Sequence, residues 1–72
     1  MGEISFEVRE SPEGGYEANA LGASIYTQGD TLEEVRFNVV EAVECHFEEP
    51  DRPKWARIIF VREEALPVAA SA

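Results

Sequence analysis

The sequence predicts an α+β domain with the element order β-β-β-α-β, an antiparallel three-stranded meander followed by a crossover helix and a fourth strand. Three observations predict it: alternating polar and apolar residues in the first 28 positions, a capped amphipathic helix after Gly29, and a β-branched and aromatic segment after Pro53. A helix that links two strands normally makes a right-handed crossover, so the fourth strand should be parallel to the first. The expected strand order is therefore 3-2-1-4.

The first three strands are predicted from period-two alternation. Residues 3–10 place Ile4, Phe6 and Val8 on one side and polar residues on the other. Ser-Pro-Glu-Gly-Gly follows at 11–15, a turn composition that should reverse the chain into a second strand from Tyr16. Its alternate residues are alanines, which suggests that a helix lies across it. The third strand is predicted over 23–28, with Gly29 ending it.

The helix has the clearest boundary in the sequence. Thr31 can cap the first free amides, and Glu34 is placed to reach back and complete a capping box. Pro50 should end the helix, because its ring removes a donor and disfavours helix in the residue before it. The residues predicted to face the sheet are Leu32, Val35, Val39, Ala42, Val43 and Phe47. Those predicted to face solvent include Glu33, Glu34, Glu41, Glu44 and Glu48.

The fourth strand is predicted over 55–62. Its run Ile58-Ile59-Phe60-Val61 does not alternate, which is typical of a strand covered on both faces or lying at a subunit contact. One domain over 1–68 with a frayed tail over 69–72 accounts for the whole sequence. A core in a chain of 72 residues contributes little stability, and a single cysteine, Cys45, rules out an internal disulfide. A homodimer or higher oligomer is therefore expected.

The charge of the chain restricts its partners. Fifteen acidic residues against six basic ones give a formal net charge of −9, which should repel a nucleic-acid backbone. The same charge favours encounter with a basic protein. The alternative explanation is that the charge only keeps a small domain soluble. No apolar run approaches the ~18 residues of a membrane span, and no signal peptide is recognisable. No membrane association and a cytoplasmic location are expected.

No residue is assigned to catalysis, to a metal or to a cofactor. Cys45 and His46 are the residue types of a reactive pair, but neighbours on a helix point about 100° apart and do not share one ligand geometry easily. Glutamate pairs such as Glu41 and Glu44 lie on a predicted solvated face rather than in a pocket. The chain is therefore not expected to be an enzyme.

Two groups of residues are candidates for contacts with other proteins. Phe37 lies off the apolar stripe, near Glu44, and is either exposed or covered by the link from Pro50 to Pro53. Phe37, Glu41 and Glu44 are the candidates for partner binding on the outer helix face. Candidates for self-association lie in the last strand: Trp55, Ile59 and Val61.

Several segments together resemble the HicB-like antitoxin family. They are Phe6-Glu7-Val8, the hairpin Pro12-Glu13-Gly14-Gly15-Tyr16 with Ala18, the helix entry from Tyr26 to Val35 containing Gln-Gly-Asp-Thr-Leu-Glu-Glu, and Asn38 with Glu41-Ala42-Val43. The resemblance spans roughly residues 4–47 and rests on the combination of the hairpin and the helix entry. Proteins of this kind sometimes carry the name of a 2-oxoisovalerate dehydrogenase subunit, whose cofactor site 72 residues are too few to form.

The resemblance implies a truncated RNase H-like fold without nuclease chemistry, which agrees with the order read from the residues. It also implies that the domain binds and blocks HicA, a small basic toxin that cleaves mRNA. Family members usually continue into a DNA-binding segment, which is not expected here, and carry a longer loop where this sequence has Leu21-Gly22-Ala23-Ser24. Two alternatives stay open: a HicB-like module without a toxin that acts as an oligomer, and a small enzyme or ligand-binding domain.

Overall fold

A computed structural model describes residues 2–69. The elements are β1 (Glu3–Glu10), β2 (Tyr16–Ala20), β3 (Tyr26–Gly29), α1 (Leu32–His46) and β4 (Trp55–Phe60). They form one four-stranded sheet in the order β3-β2-β1-β4, with β4 parallel to β1 and the other neighbours antiparallel. The predicted α+β class, element order and strand order are confirmed.

The core lies between α1 and one face of the sheet. In β1, Ile4, Phe6 and Val8 are buried and alternate with partly exposed polar residues, as the period-two pattern predicts. Ala18 of β2 has no exposed surface, because α1 crosses the sheet at this point. The helix contributes three buried residues to the same core, Val35, Val39 and Val43, while Leu32 and Ala42 pack at its margin. The helix ends at His46, earlier than the predicted stop at Pro50, because Phe47 is extended; Phe47 packs at the core margin as the C-cap residue.

Both ends of α1 are held by side chains. The Thr31 hydroxyl accepts a hydrogen bond from the Glu34 amide at 3.0 Å, as predicted for the cap. The Glu34 carboxylate accepts from the amide of Asp30, at 2.6 Å, so the second half of the predicted capping box is displaced by one residue. At the other end the Arg52 guanidinium donates to the carbonyls of Glu44 and Phe47, both at 3.2 Å, which satisfies carbonyls of the last turn.

The third strand begins later than predicted. A bend over residues 21–23, with Gly22 at φ +86°, keeps the predicted first half of the strand out of the ladder, so β3 starts at Tyr26. Ile25 is still buried, and its carbonyl accepts from the amide of Ala20 at 2.9 Å. The strand ends at Gly29 as predicted, although Gly29 is itself the last residue of β3 and pairs with Tyr16.

The fourth strand is shorter and more open than predicted. It ends at Phe60, although the amide of Val61 still donates to the carbonyl of Val8 at 2.9 Å. The expectation that β4 is covered on both faces is wrong for the single chain, because β4 is an edge strand and α1 lies closer to β3 than to it. After Arg62 the chain runs without helix or strand to Ala69; the rest of the predicted frayed tail, 70–72, lies outside the described residues.

The sheet face opposite α1 carries ion pairs. Arg57 of β4 donates to both carboxylate oxygens of Glu3 on β1, and Arg9 donates to Glu63 at 2.7 Å. Hydrogen bonding to Arg57 holds the pKa of the Glu3 carboxyl below its usual value of 4.5. These pairs lie in solvent, where each adds little to stability.

We expect Glu3→Gln to lower the melting temperature slightly at neutral pH and to have no effect in acid. The folded-state pKa of Glu3 is depressed, so its stabilisation is present above the unfolded-state pKa and is lost as the pH falls through the lower folded value. Thermal melts of both proteins from pH 7 downwards measure this, with Glu10→Gln as the control for loss of one exposed charge. A melting-temperature difference that persists at the acid end would contradict the assignment.

Candidate functional site

The two most distinctive segments of the sequence meet at one surface depression. The β1–β2 hairpin contributes Glu13 and Tyr16, and the entry to α1 contributes Asp30, Glu34 and Phe37. We call this surface the Phe37 depression; its remaining lining residues are Ser11, Gly14, Gln28, Gly29 and Asn38. The hairpin and the helix entry, separated in sequence, therefore form a single structural unit.

Close backbone approach explains Gly15 of the hairpin and Gly29 of the helix entry. Gly15 has φ +78°, and a Cβ there would lie 2.7 Å from the carbonyl oxygen of Gly29. A Cβ on Gly29 would lie 2.7 Å from the amide nitrogen of Val35 in the first turn of α1. The Asn38 side chain ties α1 to β3 by donating to the carbonyl of Gln28 at 2.7 Å. The wall of the Phe37 depression is thus fixed by backbone contacts.

The Phe37 depression combines negative charge with aromatic surface. Glu13, Asp30 and Glu34 line it, and none of the lysines or arginines within residues 2–69 does. Phe37 is 63% exposed at its edge, and Tyr16 is partly buried. Carboxylates accept hydrogen bonds from ammonium and guanidinium groups, and aromatic rings attract the same cations to their faces. The chemistry of this surface suits a lysine or arginine side chain.

The predicted partner-binding residues are all exposed on α1. Phe37 is not covered by the Pro50–Pro53 link; that alternative is wrong, because the link packs beside the other end of the helix. Glu41 is exposed one turn beyond Phe37. Glu44 is exposed too, but it borders a different groove. Together the three form a stripe along the outer helix face that starts at the Phe37 depression.

The second groove lies between α1 and the start of β4. Its floor is apolar, formed by Val40, Val43, Pro53 and Ala56, and Trp55 lies at its margin. We call it the β4 groove; Glu44, Glu49, Pro50, Arg52 and Lys54 complete its lining. It is the more apolar of the two surfaces described here.

The predicted self-association residues share one face of the sheet. Trp55 and Ile59 pair with Glu3 and Glu7 of β1, which alternate with the buried residues, so both point away from α1. Val61 continues that alternation. Trp55 is 72% exposed, and Ile59 is exposed as well, whereas Val61 is partly buried. Within residues 2–69 this apolar row is therefore exposed at Trp55 and Ile59 and partly covered at Val61.

The remaining reactive residue types lie apart from both surfaces. Cys45 is exposed, and His46 packs edge-on against Phe47 with ring centroids 4.9 Å apart. Within the described chain, no three His, Cys, Asp or Glu side chains come together as a metal site would require. No helix among residues 2–69 has the length and apolar character needed to cross a bilayer.

Sequence reasoning missed the hairpin side of the Phe37 depression. Glu13, Tyr16 and Asp30 were read only as turn, strand and helix-entry residues. A signal was present, because these residues belong to the hairpin and helix-entry segments on which the family resemblance rests. What the sequence does not show is that the two segments are in contact.

The fold and its surfaces define a small two-layer α+β domain with an acidic, partly aromatic helix face. A UPF0150 protein of Archaeoglobus fulgidus is 58% identical to this chain over 51 residues, which cover 71% of the chain and 76% of that protein. A UPF0150 protein of Thermotoga maritima is 42% identical over 66 residues, covering 92% and 93% respectively. The chain belongs to the UPF0150 family. No family model matches the chain, and neither does any solved structure.

Proposed function

We propose that this protein is an antitoxin-type binding domain that neutralises a small basic, mRNA-cleaving toxin of the HicA kind. The Phe37 depression, continuous with the acidic stripe of α1, is the observation that supports it most strongly. In this proposal the chain itself performs no catalysis. It acts in the cytoplasm, where the toxin meets its mRNA substrate.

The charge distribution of the helix supports this function. Glu33, Glu41 and Glu44 on α1 and Glu48 just beyond its end are exposed, and none of them forms an ion pair with another described residue. These carboxylates are therefore available to a partner's cations. A protein that binds RNA must present lysine or arginine to the phosphates, so an acidic surface can occupy the same cations and exclude the substrate.

The aromatic residue adds specificity to the charge. Phe37 lies at the junction of the acidic stripe and the Phe37 depression, where a bound protein would cover it. Buried aromatic anchors surrounded by polar groups are common at the centre of protein interfaces. In the proposed complex Phe37 is the central contact, and the carboxylates around it hold the toxin's basic side chains.

Capture from a lysate of the source organism tests the proposal. Immobilised protein is loaded at low salt, and bound proteins are eluted with rising salt. We expect a small basic protein to elute, and we expect the Glu41→Lys/Glu44→Lys variant to bind the isolated protein at least about tenfold more weakly, because attraction becomes repulsion. Retention of full affinity by this variant would contradict the helix-face assignment.

A matched control separates local contacts from total charge. Glu17→Lys/Glu64→Lys changes the net charge equally, but Glu17 alternates with buried Ala18 and so lies on the sheet face opposite α1, and Glu64 is exposed beyond β4. This control should keep most of its affinity. Equal weakening by both double variants would show that the partner responds to net charge alone and would exclude a defined site on the helix face.

One observation favours a second candidate function. The apolar row on β4 is exposed at the edge of the sheet, which suits a module whose role depends on self-association rather than on a toxin. A lysate that expresses the chain and yields no basic partner would favour this candidate.

A further inference from the structure

The outer edge of β4 has an open row of backbone hydrogen-bonding groups. Within residues 2–69, β4 has a strand neighbour on one side only, β1. The amides of Trp55 and Val61 donate towards β1, to the carbonyls of Gly2, the residue before that strand, and of Val8 within it. Because these directions alternate along a strand, the N–H and C=O groups of Ala56, Ile58 and Phe60 point to the free edge. Such an edge is a template for another strand.

The usual protections against strand addition are weak here. Edge strands are commonly blocked by charged side chains, proline or a bulge. The one charged residue of β4, Arg57, is directed along the sheet to Glu3 of β1, and β4 contains no proline. From Pro53 to Arg62 there is no carboxylate, although the chain as a whole has a net charge of −9. The residues that pair along β4 therefore bring no carboxylates together, and the carboxylates of the adjoining β4 groove, Glu44 and Glu49, lie outside the paired strands.

The helix-facing side of β4 is incompletely covered. Ala56 and Ile58 are only partly buried, and Phe60 is 54% exposed although it points to the same face as the buried residues of β1. Beside Ala56 the β4 groove offers an apolar floor that no other part of the described chain fills. One surface thus carries both a projecting aromatic ring and an apolar groove.

We propose that β4 pairs antiparallel with β4 of a second copy of this chain, about a two-fold axis at Ile58, and that Phe60 of each copy fills the β4 groove of the other. This axis places the three residues whose backbone groups point to the free edge in hydrogen-bonded pairs with the second copy. Ile58 pairs with Ile58 of the other copy, and Ala56 pairs with Phe60. Phe60 then lies at the mouth of the partner's groove.

The same register accounts for the apolar row on the other face. Trp55 lies opposite Val61 of the second copy, and Ile59 lies opposite Arg57, whose charge is already paired with Glu3. Lys54 and Arg62 fall beyond the ends of β4 and stay in water, where salt screens their repulsion. A second copy is the occupant because the edge, the ring and the groove are complementary to themselves.

Sedimentation equilibrium of matched variants tests the proposal. Phe60 and Tyr26 are both 54% exposed aromatic residues, on β4 and on the opposite edge strand β3. We expect the wild type and Tyr26→Asp to be dimers, and Phe60→Asp to dissociate at least about tenfold more readily while keeping its circular dichroism spectrum. A monomeric wild type, a dimeric Phe60→Asp, or dissociation of Tyr26→Asp alone would overturn the proposal.

A disulfide test covers the case in which Phe60→Asp does not fold. In a Cys45→Ser background, Ile58→Cys places two thiols on the two-fold axis, at the ~5.5 Å Cα separation of a hydrogen-bonded pair, which a disulfide spans. We expect rapid oxidation to a covalent dimer, and none for Gln28→Cys on β3. Failure of Ile58→Cys to cross-link under the same oxidant would overturn the pairing.

The salt response distinguishes this interface from toxin binding. Two copies with a net charge of −9 each repel one another, so salt should strengthen the dimer, whereas it should weaken the complex with a basic toxin. A dimer that dissociates as salt is raised would contradict an apolar, backbone-paired seam.

Discussion

Phe6→Ala is expected to leave most of the protein unfolded at room temperature. Phe6 has no exposed surface and lies in β1, between β2 and β4. Removing a buried phenylalanine costs about 3–5 kcal/mol, which is comparable to the ~3–5 kcal/mol that a single small core supplies. The expected result is loss of the strand and helix signal in far-ultraviolet circular dichroism without heating.

The matched control for Phe6 is an exposed apolar residue. Leu66→Ala removes a large side chain that is 70% exposed. Its free energy of unfolding should stay within about 0.5 kcal/mol of the wild-type value. If Phe6→Ala instead melted cooperatively at nearly the wild-type temperature, the buried face of β1 would not be the centre of the core.

Gly15→Ala is expected to be much more destabilising than Gly14→Ala. Both glycines have positive φ, which costs an alanine about 1–2 kcal/mol at either position. Only at Gly15 does the new Cβ also meet backbone, 2.7 Å from the carbonyl oxygen of Gly29, and such overpacking adds about 1–3 kcal/mol. No heavy atom lies within 4 Å of a Cβ on Gly14.

Chemical denaturation of the two glycine variants measures this difference directly. Gly15→Ala should have the lower midpoint, and a stable Gly15→Ala should also show altered binding, because Gly15 helps to hold the hairpin wall of the Phe37 depression against the helix entry. Equal midpoints for the two variants would mean that the positive φ of Gly15 alone, and not its contact with Gly29, requires a glycine at that position.

Much of the fold follows from local sequence signals. The alternation in β1 identifies its buried residues, and Thr31 marks the start of α1 because a capping hydroxyl needs no tertiary partner. The strand order follows from the handedness of the crossover. Periodicity and capping act over a few residues, and the crossover rule needs only the order of the elements along the chain.

The features that were missed depend on contacts between distant segments. β3 starts at Tyr26 rather than at the predicted residue 23, because the chain bends at Gly22. Ile25 is buried without being part of the strand, so the alternation of residues 23–28 does not mark where the strand begins. Gly29 looks like a strand breaker in sequence, but it pairs with Tyr16 in β3, and a glycine is needed there because α1 approaches too closely for a side chain. No local pattern reports that approach.

The candidate site was predicted in part. The angle of Phe37 on the helix places it off the apolar stripe but leaves open whether the Pro50–Pro53 link covers it, and the structure shows it exposed. Glu41 and Glu44 are exposed as expected. The contribution of Glu13 and Asp30 was not predicted, because it requires the hairpin to lie against the helix entry. The exposure of β4 likewise depends on how far α1 extends across the sheet, which helix periodicity does not determine.

Inhibition of RNA cleavage tests the central claim most directly. The small basic protein captured at low salt is purified, and its cleavage of RNA is followed as this protein is added. We predict that cleavage stops near one equivalent of wild-type chain and continues with the Glu41→Lys/Glu44→Lys variant. Cleavage unchanged by excess wild-type chain, or a captured protein that does not cleave RNA, would contradict the antitoxin function.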